Sequence, residues 1–104
     1  MIIKSTNESF NSDVATGNVL VDISAEWCGP CKILEKVLHV IDEERDDITI
    51  VNVDAEVAND VVFRLGVRSV PTLLFYKDGV SVEQTIGAMS IDSLKRKIVE
   101  VYGE

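Results

Sequence analysis

The sequence predicts an α/β fold in which helices flank both faces of a mixed, mostly parallel central sheet that ends in an antiparallel hairpin. Two near-continuous apolar runs, at residues 19–25 and 48–55, have the character of buried strands, and an amphipathic segment separates them. Strand, helix and strand in this order are typical of a parallel βαβ crossover. A length of 104 residues predicts a single domain, residues 1–104.

The first apolar run, VLVDISA, is interrupted by Asp22 and is expected to be a central strand covered on both faces. From Cys31 the apolar period changes from that of a strand to that of a helix, which is expected to reach about Asp47. On this helix Ile33, Leu34, Val37, Leu38 and Ile41 fall on one apolar stripe, and the polar residues fall on the other side.

Weaker signals indicate the elements around this unit. Residues 2–16 predict an edge strand and a short helix around Phe10. Asn59 or Asp60 is the expected cap of another short helix, which would end at Gly66.

The C-terminal part predicts a hairpin followed by a helix. Asp78-Gly79 is a typical hairpin turn. Ser90 is the expected N-cap of the last helix, and Gly103 lies near its C-terminus. The second arm of the hairpin alternates through Val80, Val82, Gln84 and Ile86.

Charge and hydropathy argue against several classes of function. The net charge of −8 argues against binding to nucleic acids or anionic membranes, since both need a cationic surface. The sequence contains no sustained apolar segment of the kind that forms a signal peptide or a membrane span. We therefore expect a cytoplasmic protein, in which a closely spaced cysteine pair more often serves catalysis or metal binding than structure.

The two cysteines lie in the motif Cys28-Gly29-Pro30-Cys31, where the strand gives way to the helix. At a helix start, free N–H groups and the positive end of the helix dipole favour a thiolate at Cys28. Pro30 suits the first helical turn, where a missing N–H matters little. These features predict disulfide exchange, with Cys28 attacking and the deeper Cys31 resolving.

Asp22 is the second candidate for the chemistry. A carboxyl on a doubly covered strand loses hydration, which should raise its pKa. The strand length would place Asp22 beneath the helix start, so we expect it to accept the Cys31 proton. A purely structural, hydrogen-bonded carboxyl is the alternative.

Other interpretations of the cysteines are half a zinc site or two core residues. A structural zinc site needs four ligands, and only His39 is available beyond the pair. His39 falls on the polar side of its helix, where a solvated surface histidine is the expected role.

Four motifs in this order, WCGPCK, VPT, KDG and TIGAMS, resemble the thioredoxin family over almost the whole chain. The resemblance implies the thioredoxin fold, a cis peptide bond before Pro71, and reduction of protein disulfides by a monomer that binds no cofactor. A separate thioredoxin reductase would restore the dithiol. It also implies that Val70 offers backbone hydrogen bonds to an extended substrate. The groove residues would be Trp27, Gly29, Pro30, Val70, Pro71, Gly87 and Ala88.

Three positions depart from the common family pattern. Ser24 stands where many bacterial members have a second tryptophan, and Lys36 stands where many have a helix-kinking proline. Ile50 occupies the position of a lysine near the buried aspartate, so Asp22 is expected to have no cationic partner.

Several alternatives stay open at this point. Pro71 could be only a strand-start proline, and Trp27 mostly a packing residue. The same motif would serve a dedicated oxidoreductase with one client. It would also occur in a binding subunit of a larger assembly, where the cysteines are dispensable.

Overall fold

The computed structural model describes residues 1–104, which form five strands and four helices. The strands are β1 (Ile2–Lys4), β2 (Asn18–Ser24), β3 (Ile48–Asp54), β4 (Thr72–Lys77) and β5 (Val80–Ile86). The helices are α1 (Phe10–Asp13), α2 (Gly29–Glu44), α3 (Asn59–Leu65) and α4 (Ile91–Tyr102).

The strands form one sheet in the order β1-β3-β2-β4-β5. Strands β1 and β2 both run parallel to β3, whereas β4 runs antiparallel to β2 and to β5. Strand β2 is therefore central, and only β4 runs against the other four. The predicted fold class is confirmed.

Alternation along the strands divides the core into two layers, because successive side chains point to opposite faces of a sheet. Helices α1 and α3 cover the face that carries Val21 and Val53. Helices α2 and α4 cover the face that carries Leu20 and Ile50. Asp22 has the parity of Leu20, so its side chain lies on the α2 face of the sheet.

Helix α2 begins where the sequence predicts but ends at Glu44, short of the expected Asp47. Its C-cap, Arg45, has extended backbone angles, and the Arg45 guanidinium pairs with the Asp47 carboxylate at 2.8 Å. Acidic residues are unfavourable at a helix C-terminus, and Ile48 must already join the sheet. No helix has both the length and the apolar character needed to cross a membrane.

The expected cap of α3 is wrong. The N-cap is Ala58, which makes no side-chain cap, and neither Asn59 nor Asp60 serves. The Val61 N–H is bound instead by Asn7 Oδ1, at 3.1 Å, from the segment after β1. A distant residue thus satisfies a helix terminus that local sequence was expected to cap.

The hairpin and the last helix form as predicted. Asp78 and Gly79 both have positive φ, which a tight two-residue hairpin turn requires. Ser90 caps α4 by accepting the Ser93 N–H at 3.1 Å. Along β5 the alternating apolar side chains of Val80, Val82 and Ile86 are exposed, because β5 is an edge strand and α4 covers its opposite face.

A tyrosine near the end of α4 ties this helix to the sheet. The Tyr102 hydroxyl lies 2.9 Å from the Val19 carbonyl and 3.0 Å from the Tyr76 carbonyl, and these two residues are paired across β2 and β4. Its ring packs against Phe75, with centroids 6.0 Å apart.

We predict that Tyr102→Phe lowers the free energy of unfolding by about 1–2 kcal/mol, because the ring contact remains while the Val19 and Tyr76 carbonyls lose the one hydroxyl hydrogen that they share. Urea denaturation measures this loss. Tyr76→Phe is the matched control, since the Tyr76 hydroxyl makes no hydrogen bond within the protein. Equal losses in the two variants would contradict the assigned role of the Tyr102 hydroxyl.

Candidate active site

The cysteine motif lies at the junction of β2 and α2. Cys28 is the N-cap of α2 with extended backbone angles, and Pro30 occupies the first turn. The Cys31 N–H donates to Cys28 Sγ at 3.2 Å. The two residues form a disulfide with a Cα–Cα distance of 5.3 Å. The Cys28 sulfur thus meets the positive end of a 16-residue helix.

Both sulfur-bearing residues are buried in this oxidised state, Cys28 at 5% exposure and Cys31 at 3%. Cys31 is expected from the sequence to be the deeper of the two, but the observed difference in exposure is small, because the disulfide holds both residues against Ala25 and Val70. Gly29 and Pro30 are exposed beside them, and Trp27 is 73% exposed. The Trp27 ring is therefore available to a partner molecule.

The loop before β4 approaches the disulfide. Val70 packs against the cysteine cluster, and the Val70–Pro71 peptide bond is cis. The Gly87 N–H donates to the Pro71 carbonyl at 2.8 Å, which brings the end of β5 to the same loop. Ala88 follows at an exposed position. The cis loop thus contacts the disulfide through Val70, and the end of β5 is joined to that loop.

Asp22 lies on β2 with only 2% of its surface exposed. Its register partner on β3 is Asn52, whose Nδ2 donates to Asp22 Oδ2 at 3.2 Å and to Ser24 Oγ at 3.0 Å. The second carboxylate oxygen, Oδ1, is buried and has no hydrogen-bond partner. The carboxyl is therefore held at one oxygen and unpaired at the other.

This environment raises the pKa of Asp22 from 3.8 to about 6. Burial is the main cause, because loss of hydration disfavours the charged form. The Asn52 hydrogen bond lowers the pKa, and the negative charge of Glu35 raises it. Asp22 can therefore exchange a proton near neutral pH.

Sequence reasoning missed Asn52. The signal was available, since Asn52 interrupts the apolar pattern of its strand as Asp22 interrupts its own. Their pairing depends on the register between β2 and β3, which no local pattern specifies. The partner of Asp22 is thus a neutral amide, in line with the expectation that it has no cationic partner.

A cavity of about 380 Å³ connects the two candidates for the chemistry, because Asp22 and Cys31 both line it. Its buried wall also includes Leu38 and Ile50. The Asp22 carboxyl therefore shares a cavity with Cys31 and not with Cys28, in line with the position near Cys31 expected from the strand length.

The structure shows the surroundings of the three residues that depart from the family pattern. Ser24 Oγ accepts a hydrogen bond from Asn52 Nδ2, Ile50 is buried in the core beneath α2, and α2 continues unbroken through Lys36. His39 is exposed, and no group of three His, Cys, Asp or Glu side chains is positioned to hold a metal ion.

Comparison with known proteins agrees with this geometry. The family model described as Thioredoxin matches residues 1–100. The chain belongs to the thioredoxin family. It is 44% identical over 91 residues to a thioredoxin of Chlamydia caviae, covering 88% of this chain and 89% of the relative. It is 39% identical over 98 residues to a thioredoxin of Bacillus subtilis, covering 93% of this chain and 94% of the relative.

A thioredoxin of Mycobacterium tuberculosis is 40% identical over 102 residues, which cover 95% of this chain and 88% of the relative. Membership of the thioredoxin family, together with the Cys28–Cys31 disulfide, makes this chain a thiol-disulfide oxidoreductase that reduces protein disulfides.

We predict that Asp22→Asn becomes more stable, relative to the wild type, as the pH rises. Because the pKa of Asp22 is higher in the folded protein than its ordinary 3.8, ionisation opposes folding. The neutral Asp22 carboxyl makes its full contribution to the stability of the folded protein below pH 3.8, and this contribution is lost as the pH rises through about 6. At 1.36 kcal/mol per pKa unit, the loss is about 2–3 kcal/mol.

Denaturation of the oxidised protein at pH 4 and pH 7.5 measures this change. Asp46→Asn, which removes an exposed carboxylate, is the control. A stability difference between Asp22→Asn and the wild type that stays constant over this range would contradict the raised pKa.

Proposed function

We propose that Cys28 is the attacking thiol of this protein-disulfide reductase, that Cys31 resolves the mixed disulfide, and that Asp22 accepts the Cys31 proton. The observation that carries the proposal is the N–H of Cys31 donating to Cys28 Sγ at the start of α2. In the reduced protein the same N–H and the helix dipole would stabilise a negative sulfur at Cys28.

In the first step the Cys28 thiolate attacks one sulfur of a substrate disulfide. A Cys28–substrate S–S bond forms as the substrate S–S bond breaks, and the departing substrate sulfur leaves as a thiolate that takes a proton from solvent. Gly29 and Pro30, which follow this sulfur, are exposed and add no charged side chain beside it.

In the second step Cys31 loses its proton to Asp22 and attacks Cys28 Sγ. The Cys28–Cys31 bond forms while the bond to the substrate breaks, and the second substrate sulfur leaves as a thiolate. The substrate disulfide has then gained two electrons, which the two cysteines have lost. Asp22 suits this role because its raised pKa makes it a stronger base than an ordinary carboxylate.

The proposed substrate is an extended protein segment bound in the groove beside the disulfide. Support comes from the exposed Trp27 ring and from the cis Val70–Pro71 loop, which packs against the cysteines. Val70 would offer backbone hydrogen bonds to the segment. The groove residues would be Trp27, Gly29, Pro30, Val70, Pro71, Gly87 and Ala88.

The oxidised pair needs an external source of two electrons. We propose a separate thioredoxin reductase, linked to NADPH or to ferredoxin, so that this chain binds no cofactor and takes part in electron transport through its disulfide. The cytoplasm is the proposed location, because a dithiol reductant needs a reducing compartment. The strong negative charge favours a monomer that binds neither nucleic acid nor membrane.

We predict that insulin-disulfide reduction falls to the uncatalysed background in Cys28→Ser, because the attacking sulfur is lost. Cys31→Ser should instead accumulate a mixed disulfide with its substrate, since attack proceeds and resolution does not. Non-reducing electrophoresis detects the trapped mixed disulfides. The number of different substrate proteins trapped on Cys31→Ser distinguishes a general reductase from one dedicated to a single client. Full biological function in the double serine variant would favour the binding subunit.

We also predict that Asp22→Asn slows release of the mixed disulfide by about 10²-fold near pH 7, the size of effect typical of a lost proton acceptor. Single-turnover kinetics from pH 6 to pH 9 measure this step separately from the attack by Cys28. Unchanged kinetics across this range would remove Asp22 from the mechanism and leave it a structural carboxyl.

A further inference from the structure

The cavity beside the disulfide has a charged rim that the proposed reaction does not use. Its buried end holds Asp22 and Cys31. Its lining also includes five exposed titratable side chains, which together form the rim: Lys4 on β1, Glu26 in the turn before α2, and Lys32, Glu35 and His39 on α2.

Glu35 stands in a defined relation to the reacting groups. It follows Cys31 by one helical turn on the same face of α2, because residues four apart are neighbours on a helix. His39 follows by another turn, and its Nε2 lies 3.9 Å from Glu35 Oε1. A row of side chains thus leads from the resolving cysteine to solvent along one wall of the cavity.

Hydrogen bonds on the opposite wall of the cavity hold the Asp22 carboxyl in place. Asn52 holds Asp22 Oδ2, and its second bond to Ser24 Oγ keeps the amide in place. The other oxygen, Oδ1, has no donor, so a charged carboxylate here is poorly compensated. A negative charge across the cavity therefore acts on a carboxyl that has little to balance it.

We propose that Glu35 is a positioning residue for the resolving step: its carboxylate, acting across the cavity, keeps Asp22 basic enough to accept the proton of Cys31. This inference rests on the proposed role of Asp22. Among the charged side chains of the rim, Glu35 is the one whose charge raises the pKa of Asp22, in the direction that the proposal requires. Asn52 acts in the opposite direction by stabilising the ionised form.

The test is a pH profile of mixed-disulfide release in Glu35→Gln and Glu35→Lys. The acid limb should move to lower pH by a few tenths of a pH unit in Glu35→Gln, the size of effect expected between partly solvated charges. The shift should be about twice as large in Glu35→Lys, because the interaction energy is linear in charge. Both shifts should shrink in 1 M salt, which screens charges near solvent.

Glu43→Gln and Glu43→Lys are the matched controls, since Glu43 is exposed on the same helix and does not line the cavity. A shift that is absent from the Glu35 variants, equal in the Glu43 variants, or insensitive to salt would overturn the proposal. A general loss of packing would not produce a graded, salt-dependent change of this kind.

Titration of the Asp22 carboxyl by ¹³C NMR in the oxidised protein measures the charge effect of Glu35 on Asp22 separately from the resolving step, because it needs no substrate. If the titration moves to lower pH in both Glu35 variants while the release profile does not, Glu35 has no part in the resolving step. If Asp22→Asn itself releases substrate normally, the proposed role of Asp22 fails, whatever the titration shows.

Discussion

The packing of α2 against the central strand β2 is the constraint on which the rest of the structure depends. Since β2 has neighbours on both edges and helices on both faces, any side chain in its middle is buried. The same packing fixes where the chain leaves the sheet and begins the helix. The disulfide at that junction and the carboxyl beneath it are both consequences of one strand-to-helix connection.

The Cys28 sulfur and the Asp22 carboxyl, the two candidates for the chemistry, are subject to opposite effects on their negative charge. Cys28 lies where free N–H groups and the helix dipole favour a negative sulfur. Asp22 lies where burial disfavours a negative oxygen, and its one hydrogen bond from Asn52 compensates this only in part. In the proposed mechanism a proton would pass from the Cys31 thiol to the Asp22 carboxylate, and Glu35, which lines the same cavity, would influence that transfer.

Much of the fold was predictable because its signals are local. Alternation and apolar runs identified the strands, and Asp78-Gly79 identified the hairpin. The cap of α3 was not predictable, because Asn7 supplies it from a distant segment. The face on which β5 exposes its apolar residues was also beyond the sequence, since it depends on where α4 packs.

The thiol-disulfide chemistry could be predicted from the amino-acid sequence, because the cysteine spacing, the proline between the cysteines and the start of an amphipathic helix lie within one short segment. The groups that surround the disulfide could not be predicted in this way. Asn52 meets Asp22 through the register between β2 and β3. Val70 packs against the disulfide, and the Gly87 N–H binds the carbonyl of the adjacent Pro71. Such contacts join residues far apart in the chain, and no local pattern encodes their distance.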